Sequence, residues 1–361
     1  MACLRVLLDP TKLGREAETL EEKLKKSIVG QEEAIRQIVD RYQTFAAGMA
    51  NPGRPVGNFL FLGPTGSGKT RTVEALAEAL ACDIHAVIKI DCAEFQHGHE
   101  IAKLIGSPPG YLGHRETHPL LSQEMLNAHQ TETCKLSFVL FDEIEKASDA
   151  LWNLLLGILD RATLTLGDNR HVDFSQAMIF MTSNLGASEM ESMLRPPLGF
   201  ATPAVDAAGE EISGKLGRVG MEAARRRFTP EFMNRIDKVV VFHPLGEAEL
   251  RRILQLELGY VQERLRTATG AKDISFKVDS AARGLLLREG TDARYGARHL
   301  KRAIEHLLVQ PMSNLVATGQ VSSGDTVFVH ADAKTGRLVF LKDFHGAVPQ
   351  IENEAGKSAA A

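Results

Sequence analysis

The stretch FLFLGPTGSGKT, Phe59–Thr70, sends a run of apolar residues into a turn with almost no side chain and closes it on Lys69 and Thr70. A short apolar run bounded by glycine reads as a buried strand, and the TRTVEALAEALA that follows has the apolar spacing of a helix. Between them, GPTGSGKT fits G-x-x-x-x-G-K-[ST] in the strand–turn–helix setting that makes the pattern a phosphate site. The glycines of Gly63, Pro64, Thr65, Gly66, Ser67 and Gly68 let backbone N–H groups curl around phosphate oxygens, and the positive end of the helix adds to them. Lys69 is placed to reach the β- and γ-phosphates of ATP, and the Thr70 hydroxyl to take one position on Mg2+.

A site that hydrolyses ATP also needs carboxylates, and FVLFDEIEKA, Phe138–Ala147, places two at the tip of another apolar strand. Asp142 is expected to hold the Mg2+ shell and Glu143 to act as general base toward the attacking water. Without a phosphate loop elsewhere in the chain, the same two acids would read equally well as solvated strand caps.

The chain has 361 residues, enough for one large domain and a smaller one. Its 42 Lys and Arg against 46 Asp and Glu leave a formal charge of −4, which supplies no electrostatic reason to expect nucleic acid as a partner. Four cysteines, Cys3, Cys82, Cys92 and Cys134, are far apart and form no CxxC pair, which fits a reducing, cytoplasmic setting. The start, MACLRVLLDP, is too short and too interrupted for a signal-peptide core, and no run of eighteen apolar residues predicts a membrane span.

Apolar spacing from Leu20 to about Ala47 predicts two helical pieces broken at Gly30. Strand signals follow at Phe59–Leu62, Ile84–Ile90, Phe138–Phe141, Ala177–Met181 and Val239–Phe242, with helical segments between most of them. This alternation predicts an α/β fold with a three-layer, mostly parallel sheet. Beyond Leu245 helices take over, and TVFVH and RLVFLK predict two short strands joined at KTG. The expected organisation is an N-terminal extension over 1–19, a large nucleotide-binding domain over 20–244, a smaller, mainly helical C-terminal lid domain over 245–345 and a tail over 346–361. Arg195 to Gly217, rich in Pro, Ala and Gly, predicts a long exposed loop.

With these motifs in place the chain resembles the AAA+ ATPases of the Clp family, and in particular the second ATPase module of ClpB-type disaggregases and of ClpA- and ClpC-type unfoldases. The likeness runs from Ile28 to Gly319 through IVGQEEAI, NPGRPVGNFLFLGPTGSGKT, LIGSPPGYLG, FVLFDEIEKA, MIFMTSNLGA, FTPEFMNRIDKVVVFHPL and YGARHLKRAI. It implies a P-loop AAA+ fold. Asn184 falls at the family's sensor-1 position, where it orients the lytic water; taken alone it would read as a turn cap. Arg235 resembles the arginine finger that reaches a neighbouring subunit's site, its alternative being a surface pair with Asp237. Arg298 resembles sensor 2, and Ile28 and Val29 would line the adenine pocket, although such residues also serve as plain core.

The loop GSPPGYLGH carries Gly110, Tyr111, Leu112 and Gly113, matching the family's pore loop, whose tyrosine grips unfolded polypeptide; the alternative is a ring folded onto its own loop. LTLGDNRHVDF sits where the family has a second pore hairpin. Leu198, Gly199 and Phe200 resemble the tripeptide by which ClpA- and ClpC-like members dock a barrel peptidase, or else anchor their own loop. After GYLG the sequence departs from the family's charged, glycine-rich continuation. His97, His99, His114 and His118 lack a carboxylate or cysteine frame for metal and read as surface residues.

The resemblance implies a single-ring hexameric motor that hydrolyses ATP at subunit interfaces and threads unfolded or tagged proteins; the charge balance and the short apolar runs point to no nucleic-acid or membrane partner. A nucleotide-gated assembly or adaptor protein with slow hydrolysis, and the ATPase partner of a peptidase, are the alternative readings.

Overall fold

The computed structural model describes residues 8–107, 119–132, 134–194, 209–268, 274–291, 296–332 and 335–343. Tyr111 with the rest of its loop, and Leu198, Gly199 and Phe200, lie outside them. Contacts divide the chain into two compact units, Met1–Arg252 with Asp292–His299, and Ile253–Thr291 with Leu300–Ala361.

In the first unit the strands are β1 (Gly57–Leu62), β2 (Val87–Asp91), β3 (Ser137–Asp142), β4 (Thr163–Thr165), β5 (His171–Asp173), β6 (Ala177–Ser183) and β7 (Lys238–Val241). Five of them form one sheet in the order β2-β3-β6-β1-β7, and every pairing is parallel. β4 and β5 form a separate antiparallel hairpin in the LTLGDNRHVDF segment.

All six residues of β1 are buried, yet successive side chains go to different cores. Phe59 and Phe61 pack with Leu20, Ile35, Leu76, Phe180 and Phe242, beneath the helices Arg15–Ser27, Glu32–Ala46 and Lys69–Ala81. Leu60 and Leu62 pack with Phe141, Met181, Leu151, Leu155 and Phe232, beneath the helix Asp149–Arg161. A strand apolar at every position from Phe59 to Leu62, with period-2 side chains, needs a hydrophobic layer on both faces. The result is the three-layer α/β sheet. Aromatic contacts bind the first core across strands: the rings of Phe59 and Phe180 stack at 5.0 Å, and Phe61 meets Phe242 at 4.8 Å.

The register decides where chemistry gathers. Leu62 pairs with both Ser183 and Val241, and Asp91 pairs with Asp142, so the carboxyl ends of the strands lie along one edge of the sheet. Gly63, Glu143 and Asn184 each follow directly on a strand that ends there.

Three expectations need correction. β2 begins at Val87, not Ile84, because the Asp83 carboxylate accepts the His85 N–H at 2.8 Å and turns the chain, leaving Ile84 exposed. The expected loop through Gly217 is already helix from Gly209, in Gly209–Arg227. Its glycines permit close packing: a Cβ on Gly220 would stand 2.7 Å from the Met190 side chain, and Leu216 and Ala224 are buried. Helical order begins at Arg15, within the expected N-terminal extension.

The second unit holds the continuation of the helix Glu247–Ala268, the helices Ser280–Gly290 and Gln310–Ala317, and strands β8 (Ser275–Val278), β9 (Thr326–Ala331) and β10 (Leu338–Lys342). β9 and β10 form the expected antiparallel pair, and β8 adds a parallel strand to β9 that local sequence did not announce. The contact boundary at Arg252–Ile253 falls inside a continuous helix, several residues beyond Leu245, and no composition change marks it. Among the described residues no helix is long and apolar enough to cross a membrane.

Removing the Phe180 ring, which stacks on Phe59 and touches Phe61, leaves a cavity beneath β1. Phe180→Ala should cost about 3–5 kcal/mol, read as a lowered urea midpoint of the first transition.

Candidate functional site

The phosphate-loop sequence folds as it does because three glycines take backbone conformations that side chains avoid: Gly63 at φ 143°, Gly66 at 78° and Gly68 at 103°. Gly63 has a second constraint, since a Cβ there would lie 2.5 Å from the Phe242 carbonyl oxygen. At Gly68 an added Cβ would meet nothing within 4 Å, so the loop is open on the side where the helix Lys69–Ala81 starts. Ser67 closes the turn by donating its hydroxyl to the Pro64 carbonyl at 2.8 Å.

Lys69 is 8% exposed, and its ammonium donates to three oxygens: Gly63 O at 2.6 Å, Asn184 Oδ1 at 2.9 Å and Pro64 O at 3.0 Å. Burial pulls its pKa down to about 8; the charges of Asp142, Glu145 and Glu143 work against that shift, and Arg298 reinforces it. A buried cation beside an open glycine cradle fits the phosphates of a nucleotide.

Asn184 is the hub of the site. Beyond Lys69 and Thr65 (3.4 Å), its amide nitrogen donates to Glu143 Oε1 at 3.2 Å, and its backbone N–H donates to Glu145 Oε1 at 3.1 Å. Glu143 adopts φ 55°, a left-handed conformation unusual for a residue with a side chain, and Lys146 donates to its other carboxylate oxygen. The buried Thr182 hydroxyl donates to Asp142 and accepts the Glu143 N–H at 3.1 Å, fixing the two acids relative to each other. Asp142 and Thr70 supply the hard oxygen donors that Mg2+ prefers.

Local sequence missed three contributors. Gln31, fully enclosed, donates its amide nitrogen to Ser67 O and His243 O, both at 3.0 Å, and its oxygen accepts the His243 N–H at 3.2 Å. It thereby staples the phosphate loop to the exit of β7. Thr182 is the second, and Glu145, whose Oε2 is buried without a partner among the described residues, is the third. Their only sequence signals were a polar residue after the Gly30 break and polar residues two positions from Asn184 and Glu143.

The remaining candidates divide. Ile28 and Val29 are buried, Ile28 within the core under the first helices. The Ala297 N–H donates to Gly66 O at 3.2 Å, which puts exposed Arg298 beside the phosphate loop. Arg235 is not brought to this edge. It precedes β7, at the amino end of the strands, and its guanidinium pairs with Glu231 at 3.0 Å and reaches Asp160 at 4.0 Å. Asp237, the alternative partner weighed from sequence, is instead engaged by Arg41 at 2.9 Å. His97 and His99 stack their rings at 5.8 Å.

A parallel sheet with a glycine cradle, a buried lysine and two strand-end acids along one edge defines a P-loop nucleotide-binding module. Residues 54–239 match the family described as AAA domain (Cdc48 subfamily), and residues 245–329 match the C-terminal, D2-small domain of ClpB protein. The chain belongs to the AAA family, as a Clp-type ATPase module. It is 40% identical over 316 residues to the chaperone protein ClpB of Bdellovibrio bacteriovorus, covering 88% of this chain and 34% of that one. To the ATP-dependent Clp protease ATP-binding subunit ClpC of Staphylococcus saprophyticus it is 36% identical over 315 residues, 87% of this chain and 36% of that one. Among solved structures it is similar to a closed-state Hsp104 with ATPγS and FITC casein, with TM-score 0.74 and 28% identity, over 91% of this chain and 52% of that one. The chain thus spans about a third of the length of these curated relatives.

Burial holds the pKa of His243 below its usual 6.5, with Glu32 opposing in part. The folded chain therefore keeps this imidazole neutral where the unfolded chain takes up a proton, so stability falls as pH drops below 6.5. Chemical denaturation at about pH 7.5 and about pH 5.5 should show a smaller loss for His243→Gln than for the unmodified chain.

Proposed function

We propose that the chain is an ATP-driven protein-remodelling motor that works as a ring of copies, a hexamer in its nucleotide-bound form, in the cytoplasm. The observation that carries this reading is the continuous bonding of Lys69, Asn184 and Glu143 along one sheet edge, with Arg235 at the other edge of the same sheet. An arginine so placed cannot serve its own chain's phosphate loop, whereas a neighbouring copy can receive it.

In this reading Gly63 to Lys69 bind the triphosphate, with Lys69 exchanging backbone carbonyls for phosphate oxygens with no further desolvation of its own ammonium. Thr70 and Asp142 would hold Mg2+, which supplies charge neutralisation between phosphate oxygens. Glu143 accepts the proton of the attacking water, Asn184 orients that water and keeps the base in register with Lys69, and Arg235 from the next copy stabilises charge on the transferring phosphoryl group. Arg298 reports nucleotide state from beside Gly66, and Ile28 and Val29 face the base.

Tyr111, flanked by Gly110, Leu112 and Gly113, would grip an unfolded polypeptide; the similar Hsp104 structure was determined with casein, itself a polypeptide. Leu198, Gly199 and Phe200 would dock a barrel peptidase. The double hold on Glu143, by Asn184 and Lys146, supports a second reading in which hydrolysis is slow and nucleotide state gates partner binding.

Glu143→Gln should leave ATP binding within about twofold and lower turnover by about a hundredfold or more; unchanged turnover would remove Glu143 as base. Tyr111→Ala should retain basal hydrolysis but abolish its acceleration by unfolded casein and the unfolding of a tagged fluorescent protein. If the unmodified chain shows no such acceleration, the gating reading takes over.

A further inference from the structure

Asn58, the second residue of β1, is a polar side chain with no exposed surface on a strand otherwise suited to apolar residues. Its amide nitrogen donates both protons to backbone carbonyls, Arg235 O at 3.1 Å and Leu159 O at 3.1 Å. Two carbonyl acceptors require the NH2 end of the amide, so this orientation is set by chemistry. The amide oxygen is buried and has no partner among the described residues, a desolvation cost that packing alone does not explain. The backbone of Asn58 also locks the same segment: its N–H donates to the Asp237 carboxylate at 2.9 Å, and its carbonyl accepts the Asp237 N–H at 2.9 Å.

Arg54 adds a second donor to the Arg235 carbonyl, at 3.2 Å. One carbonyl thus receives two side-chain hydrogen bonds, from Arg54 on the approach to β1 and from Asn58 within it. Leu159, the other acceptor, neighbours Asp160, the carboxylate that the Arg235 guanidinium reaches within its own chain. The Asn58 amide therefore fixes the root of the arginine and the backbone beside one of its resting partners. Gly63, just past the end of the same strand, lies five residues further on, about 16 Å away at strand rise.

We propose that Asn58, with Arg54 as second donor, is a positioning residue for Arg235: it clamps the arginine's backbone so that the guanidinium is presented to the nucleotide of the neighbouring copy. This rests on the reading of Arg235 as a group acting in trans. β1 is then a rigid strut with the phosphate loop at one end and the arginine clamp at the other. A protomer's grip on its own nucleotide and its service to the neighbour's share one strand.

A clamp defect differs from a folding or binding defect in being repairable by a partner. The 361-residue chain is made as Asn58→Ala, Arg54→Ala, Arg235→Ala and Glu143→Gln. Affinity for a fluorescent ATP analogue should stay within about twofold in the first three, while hydrolysis by each assembly alone falls about a hundredfold for Arg235→Ala, about tenfold for Asn58→Ala and about threefold for Arg54→Ala. Each is then mixed with Glu143→Gln, which lacks the base but keeps a working arginine; about a quarter of the interfaces in a random mixture pair an intact site with an intact finger. Hydrolysis per intact site should rise in all three mixtures.

If Arg235→Ala is not rescued, the trans reading falls and the clamp falls with it. If Arg235→Ala is rescued but the Asn58 and Arg54 variants are not, or if they hydrolyse ATP normally alone, the clamp is overturned and the trans reading stands. Should Asn58→Ala fail to fold, the partly exposed Arg54→Ala decides between the same outcomes.

Discussion

Lys69 holds a charge out of water, and the surrounding architecture answers to that constraint. An ammonium at this burial requires oxygens within reach, and Gly63, Pro64 and Asn184 supply them from the loop and from the neighbouring strand's exit. Gly63 can supply its carbonyl only because the loop leaves β1 tight against Phe242, an approach that no side chain would permit. Asn184 can supply its amide only because β6 runs parallel to β1 in a register that ends both strands together. The nearby carboxylates then offset a cation that would otherwise be unfavourable there, and a phosphate that took the place of the backbone oxygens would meet an ammonium already stripped of water.

The same register explains why one amide serves several roles. Asn184 touches the lysine, the Glu143 carboxylate and, through its backbone, Glu145, so one residue links the phosphate loop to both of these acids. Thr182 makes the two acids a unit by bonding the side chain of one and the backbone of the other. Gln31 ties the loop to the segment that leaves the sheet toward the second unit. Each bond is worth little against water, but in a buried network the alternative is an unsatisfied polar group, which makes the arrangement cooperative.

At the opposite edge of the sheet the chemistry is also polar, with Asn58, Arg54, Arg41 and Asp237 enclosing the backbone that carries Arg235. Between these two hydrogen-bonded edges the central strands β1, β3 and β6 are buried along almost their whole length. One edge carries the phosphate loop, and the other carries Arg235, which within its own chain pairs with Glu231 and Asp160. The site within one chain lacks an arginine contributed from that edge, and this incompleteness is what the ring proposal addresses.

Much of this was legible from residue order. The glycine spacing and terminal Lys-Thr of the phosphate loop, the acids at the end of an apolar strand, the break at Gly30 and the change to helix after Leu245 are local signals, carried by backbone permissiveness and side-chain period. Sequence by itself thus determined a parallel α/β nucleotide-binding module with a helical companion. It misplaced the start of β2 and extended a loop across the first turns of Gly209–Arg227, because an aspartate turn and glycine-mediated helix packing depend on neighbours. Strand order, the common carboxyl edge, the buried bonds of Gln31, Thr182, Glu145 and Asn58, and the separation of Arg235 from its own phosphate loop were decided only in the tertiary structure. These are contacts between residues up to 212 positions apart, and no local pattern encodes such a distance.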